Sequence, residues 1–201
     1  MENRQNHSAL GTRVIPMKIA ITLFRAASGT LLVILLSACS PLAKGDQIDL
    51  ASLLIGMEDM PSGWITTYGP DIGIDEDRSL DSARIVFNTD LYPESLGASQ
   101  NVYRFRSVWA ARRDYGNQME FYEMFHYTLS DWKYKSNVAN ESYFSCRKDP
   151  ETPILKCDWI ARYDKVVIEF GGWLIPNRMT MADMENVIRE IDSLATTLFI
   201  H

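Results

Sequence analysis

The chain has 201 residues, with 20 basic against 26 acidic side chains and a formal charge of −6. That balance repels a phosphate backbone, so nucleic acid is excluded as the expected partner. Its 46% hydrophobic and 23% charged composition is that of an ordinary globular protein, which excludes a disordered or collagen-like chain.

Lys18 and Arg25 supply positive charge, Ala26 to Leu36 form an apolar run, and Ser37-Ala38 are two small residues before Cys39. A secretory signal is built of these parts in this order. A spanning helix needs about 18 or more apolar residues, and Arg25 cuts this run short of that. The tetrapeptide Leu36-Ser37-Ala38-Cys39 resembles the lipobox of bacterial lipoproteins. The resemblance implies that the Cys39 thiol becomes diacylglyceryl-modified, that cleavage falls before it, and that the new amino group is acylated. It implies a protein held through the lipid on Cys39 at a bacterial cell membrane or outer membrane, facing away from the cytoplasm.

The expected organisation is a signal peptide over residues 1–38, with Met17 as an alternative start. A lipidated cysteine and polar tether follow over 39–47, then a single globular domain over 48–201. The leader contains four basic residues, Arg4, Arg13, Lys18 and Arg25, and one acid, Glu2. Its removal leaves 16 basic and 25 acidic residues, a balance of −9.

Within the domain, Asp49 is placed to cap a short helix with Leu50, Leu53 and Leu54 on its apolar face, ending at Gly56. Met60-Pro61-Ser62-Gly63-Trp64 reads as a turn with an aromatic core anchor behind it. Pro70 to Asp81 reads as an acidic loop. As a calcium loop it fails, because Glu76 stands where glycine is required and Ser82 where the closing glutamate belongs. A solvated loop is expected there, with no metal.

Strands are predicted over Ser82 to Asn88 and Gln100 to Ala110, the second with Tyr103, Phe105 and Trp109 alternating with Arg104 and Arg106. From Asn117 to Leu129 the apolar groups fit a helix packed between the sheet and another element. His126 lies in that run and is the one histidine of the domain besides the C-terminal His201. A lone histidine among aromatics is expected as a hydrogen-bonded core or boundary residue. The enzyme alternative is a hydrolase-type site scattered around His126, with Tyr122 or a nearby carboxylate. It needs a nucleophile and an orienting acid, and no Gly-x-Ser-x-Gly elbow supplies the serine. No catalytic residue and no cofactor are therefore expected.

Leu155, Cys157, Trp159, Ala161 and Tyr163 share one face of a strand, and Val166, Ile168, Phe170, Gly172 and Leu174 one face of the next. A two-residue turn at Asp164-Lys165 sets Tyr163 opposite Val166, Ala161 opposite Ile168 and Trp159 opposite Phe170, with all of them on one side of the sheet. Counting back through the turn at Asp149 to Pro153 sets Cys146 opposite Cys157. In an oxidising compartment that pair is a disulfide candidate. Thr180-Met181-Ala182-Asp183 is a capping signature. It opens a helix with Met184, Val187, Ile188, Ile191, Leu194, Ala195 and Leu198 on one face and Glu185, Arg189, Glu190 and Asp192 outside.

The fold expected is α+β: an antiparallel sheet with a long C-terminal helix on one face, a short N-terminal helix and a middle helix. The order of hairpin, long strand and final helix, over roughly the last third of the chain, resembles the end of the PsbP/Mog1-like domains. That resemblance implies an assembly or binding module without catalytic residues. The expected partner is an unknown protein or small molecule.

Overall fold

The computed structural model describes residues 48–73, 78–89, 96–125, 132, 134–148 and 154–199. Cys39, the tether and His126 lie outside the described residues. Six strands are present: β1 (Trp64–Ile72), β2 (Asp81–Thr89), β3 (Ala98–Arg104), β4 (Glu141–Lys148), β5 (Leu155–Tyr163) and β6 (Val166–Leu174). They form one antiparallel sheet in the order β1-β2-β3-β6-β5-β4. Two helices pack on it, α1 (Val108–Phe125) and α2 (Met181–Phe199), preceded by two 3-10 turns at Leu50–Leu53 and Met57–Asp59. This is the α+β architecture expected.

Side chains alternate across each strand, so the sheet has two faces of different character. One face holds Ile85, Phe87, Val102, Trp159, Ile168 and Phe170, and α2 closes over it with Met184, Val187, Ile188, Ile191 and Ala195 buried. The β5–β6 register is the expected one: Tyr163 faces Val166, Ala161 faces Ile168 and Trp159 faces Phe170. Asp164 accepts the left-handed conformation the turn needs, at φ 52°. Cys146 and Cys157 are direct partners on β4 and β5 and form a disulfide with Cα atoms 4.0 Å apart.

The start of α2 is built as its sequence implies. The Thr180 N–H donates to the Asp183 carboxylate at 2.8 Å, and the Asp183 N–H donates back to Thr180 Oγ1 at 3.2 Å. Asp192 departs from expectation, because it lies inside the fold and not on the outer face of the helix. It is only 4% exposed and accepts hydrogen bonds from the hydroxyls of Tyr134, Tyr163 and Ser136, the last at 2.9 Å. Three donors offset the cost of burying a carboxylate. Each comes from a segment distant in sequence, so no local pattern marks the position.

Four further expectations are corrected. The N-terminal helix is a single 3-10 turn that stops at Leu53, although Asp49 does cap it by accepting the Ala51 N–H at 3.1 Å. The loop expected from Pro70 begins later, because β1 runs from Trp64 to Ile72. This edge strand is solvated along most of its length and interrupted by bulges around Tyr68, so it shows no alternation to read. The strand expected over Gln100 to Ala110 ends at Arg104. Ser107 then accepts the Ala110 N–H on Oγ at 3.1 Å and starts α1, leaving Trp109 on the helix, 68% exposed. Finally, among the described elements α1 packs against β4, β5 and β6 of the sheet, and its Phe121, Met124 and Phe125 are exposed.

Trp64 is the buried anchor expected, and its indole N–H donates to the Arg178 carbonyl at 3.0 Å. Gly63 before it sits at φ +86°, a conformation that favours glycine. Buried Gln100 ties the N-terminal segment to the same face: its amide accepts the Ile55 N–H and donates to the Leu53 carbonyl, both at 2.8 Å.

Candidate functional site

The other face of the sheet is only partly covered. α1 lies across one end of it, where Tyr103, Phe105, Ala111, Tyr115, Ile160 and Val167 form a second, smaller apolar cluster. Beyond the end of that cluster no described element covers the sheet, and a groove of about 440 Å³ runs across it. That volume falls in the range of small-ligand sites.

Register builds the groove row by row. Ser99, Gly171 and Asp158 are successive partners across β3, β6 and β5 and form the floor. Asn101 and Glu169 stand on one side of that row, Trp173 and Lys156 on the other, because each lies two residues along its strand on the same face. Tyr122 of α1 contributes a wall, and Arg84 of β2 and Arg147 of β4 occupy the two rims. The depth depends on Gly171: a Cβ there would meet Asp158 Oδ1 at 2.3 Å. A side chain at this position would displace the Asp158 carboxylate and fill the floor.

Glu169 is held by a partly buried cluster at the edge of the groove. Arg78 donates to Glu169 at 2.6 Å, grips Asp114 in a two-point contact at 2.8 and 2.9 Å, and lies 3.9 Å above the Tyr103 ring. Burial raises the Glu169 carboxyl above its ordinary value of 4.5, against the pull of Arg78. Burial would lower the Arg78 guanidinium, but its hydrogen bond to Asp114 and the charge of Glu169 outweigh this and hold it charged. The Tyr122 hydroxyl is raised strongly, first by burial and then by the charges of Glu169 and Asp158. It therefore stays protonated at neutral pH. Lys156 reaches Asp158 at 3.7 Å.

The groove thus presents hydroxyl, amide and carboxylate groups on a rigid sheet, which suits it to hydrogen-bond a polar ligand. Of the residues singled out from sequence, Tyr122 lies at the groove, while the Cys146–Cys157 disulfide belongs to the opposite face. Ser99, Asn101, Glu169, Gly171 and Trp173 were not picked out. The readable signal was the Gly171-Gly172 pair inside a strand, which marks a shallow place in a sheet. Among the described residues there is no group of three His, Cys, Asp or Glu side chains placed to hold a metal ion, and no helix long and apolar enough to cross a membrane.

No protein-family model matches the chain, and no curated protein matches it. Among solved structures it is similar to the crystal structure of the extracellular domain of PknH from Mycobacterium tuberculosis. The TM-score is 0.37 and the identity 11%, covering 77% of this chain and 97% of that one. Function is read from this chain's own residues.

Proposed function

We propose that the protein is a lipid-anchored, extracytoplasmic binding module, tethered through Cys39, that takes a small polar ligand in the groove over Gly171. The observation that carries the binding role is the groove: a glycine floor framed by Ser99, Asn101, Asp158 and Glu169 on the half of the sheet that α1 leaves open. The anchor rests on the basic start, apolar run and small-small-Cys ending of the leader.

Two measurements test the reading. Mass spectrometry of the membrane fraction is expected to find an acylated peptide beginning at Cys39, and an intact, unmodified leader overturns the anchor. For the groove, a library of polar metabolites is screened by thermal shift against the full chain. At least one is expected to raise the Tm of the parent and of His126→Gln but not of Gly171→Val. Turnover of such a compound, lost in His126→Gln with unchanged stability, would show an enzyme instead.

A further inference from the structure

Resting on that reading of the groove, we propose that its ligand is an acidic oligosaccharide, a hydroxyl-rich chain carrying carboxylate groups. Three observations converge on this class. The first is the disposition of charge. In a chain of net charge −6, Arg84 and Arg147 stand at opposite rims of the groove, and neither makes an ion pair among the described residues. Asp71, the register partner of Arg84, instead accepts from the Tyr68 hydroxyl. A guanidinium fork is suited to gripping a carboxylate at two points.

The second observation is that the carboxylates inside the groove are already engaged. Glu169 is bonded to Arg78 and Asp158 lies within 3.7 Å of Lys156. Their charges are therefore compensated locally, and this disfavours a cationic ligand such as an ammonium group. What they retain is acceptor capacity, since a carboxylate has about four lone-pair sites. Together with Ser99 and Asn101 they form a row of acceptors and donors of the kind sugar hydroxyls satisfy. The indole of Trp173 and the ring of Tyr122 line the same groove and offer flat apolar surfaces for the C–H faces of pyranose rings.

The third is length. Arg84 lies on β2 and Arg147 on β4, which are separated by β3, β6 and β5 in the sheet. Four strand spacings of about 4.8 Å put the two rims roughly 19 Å apart across the strands. A single amino acid or a phosphate ion does not bridge that span, whereas a short oligosaccharide does.

The test is isothermal titration of the full-length chain in detergent with three probes: pentagalacturonic acid, the neutral galactose pentasaccharide, and inorganic phosphate. The acidic pentasaccharide is expected to bind at least tenfold more tightly than the neutral one. The double variant Arg84→Gln/Arg147→Gln is expected to lose that preference while keeping both its affinity for the neutral sugar and its Tm. Equal affinity for the two sugars, binding of neither, or full competition by phosphate at the same concentration overturns the acidic-saccharide assignment. Each of those results leaves the groove itself to the metabolite screen. Gly171→Val separates the two ideas, because unchanged pentagalacturonate binding by that variant shows that the sugar sits elsewhere. The assignment then falls, and the groove reading is decided by the metabolite screen alone.

Discussion

The two faces of the one sheet solve different problems with the same strands. On β5, Cys157 and Trp159 point into a continuous apolar core closed by α2, while Lys156 and Asp158, which alternate with them, point into a groove on the other side. The α2 face has one buried carboxylate, Asp192, fully enclosed by hydroxyl donors, and a disulfide stapling β4 to β5. The opposite face has a smaller apolar cluster at one end and a row of polar side chains at the other. Burial of apolar area drives folding, so stability should reside mainly on the first face. The second is then free to present polar groups that contribute little to the fold. This division is what lets a sheet hold a binding surface without being destabilised by it.

The sharpest way to break the comparison is Asp192→Ala. The substitution leaves the Tyr163 hydroxyl, on a residue only 2% exposed, without its acceptor, and removes the partner of Tyr134 and Ser136 as well. Hydrogen bonds to a charged group each contribute about 1.5–3 kcal/mol, and the substitution also relieves the cost of burying the carboxylate, so a net loss of about 3–5 kcal/mol is expected in urea unfolding. Asn101→Ala beside the groove floor should change stability by less than about 0.5 kcal/mol. Comparable losses from the two would show that the groove face also holds the fold together.

The disulfide should come next. Cys146 and Cys157 close a loop with a sequence separation of 11. On the chain-entropy account a loop of this size stabilises by about 3 kcal/mol by restricting the unfolded chain. Cys146→Ala/Cys157→Ala is expected to lower the unfolding free energy by about that amount without altering ligand binding in the groove, because both side chains belong to the α2 face. A non-reducing peptide map should recover the bridged peptide from exported protein. Free thiols there would remove the staple from the account.

How far the fold was legible follows from how local each signal is. The β5–β6 hairpin and its partner β4 were readable to the residue, because period-2 alternation and turn chemistry lie within some thirty consecutive positions. The cap of α2 and most of its apolar stripe were readable too, because they are contiguous, although Leu198 at its end is exposed. Asp192 was misplaced because its three donors lie 29, 56 and 58 residues away. β1 went unread because an edge strand solvated on both sides has no pattern, and Ser107 redirected a chain whose aromatic alternation looked like continuing strand. The groove was the least legible feature. Its floor depends on β3 pairing with β6, a long-range choice, and its residues are the off-face positions that an apolar pattern leaves blank. Cys39 and His126 fall outside the described residues, so the leader and the enzyme alternative rest on sequence and on the experiments above.

The smallest expected effect is a slope, and it bears directly on the groove. Burial, opposed by Arg78, leaves the Glu169 carboxyl raised above its ordinary 4.5 in the folded chain. The folded protein therefore retains this proton at pH values where the unfolded chain has released it. Its contribution to stability is complete below the unfolded value and is lost as pH rises through the folded one. Glu169→Gln removes the titration but keeps an acceptor oxygen for Arg78, so the cluster with Asp114 and Tyr103 should stay in place. Unfolding free energies of parent and variant, measured between pH 4 and 7, are expected to differ by a term that falls as pH rises. The other carboxylates cancel in that difference as long as the variant leaves their surroundings unchanged. A difference that instead rises with pH would mean that Arg78 holds Glu169 below its ordinary value. The carboxylate would then be ionised across that pH range, with its charge compensated by Arg78.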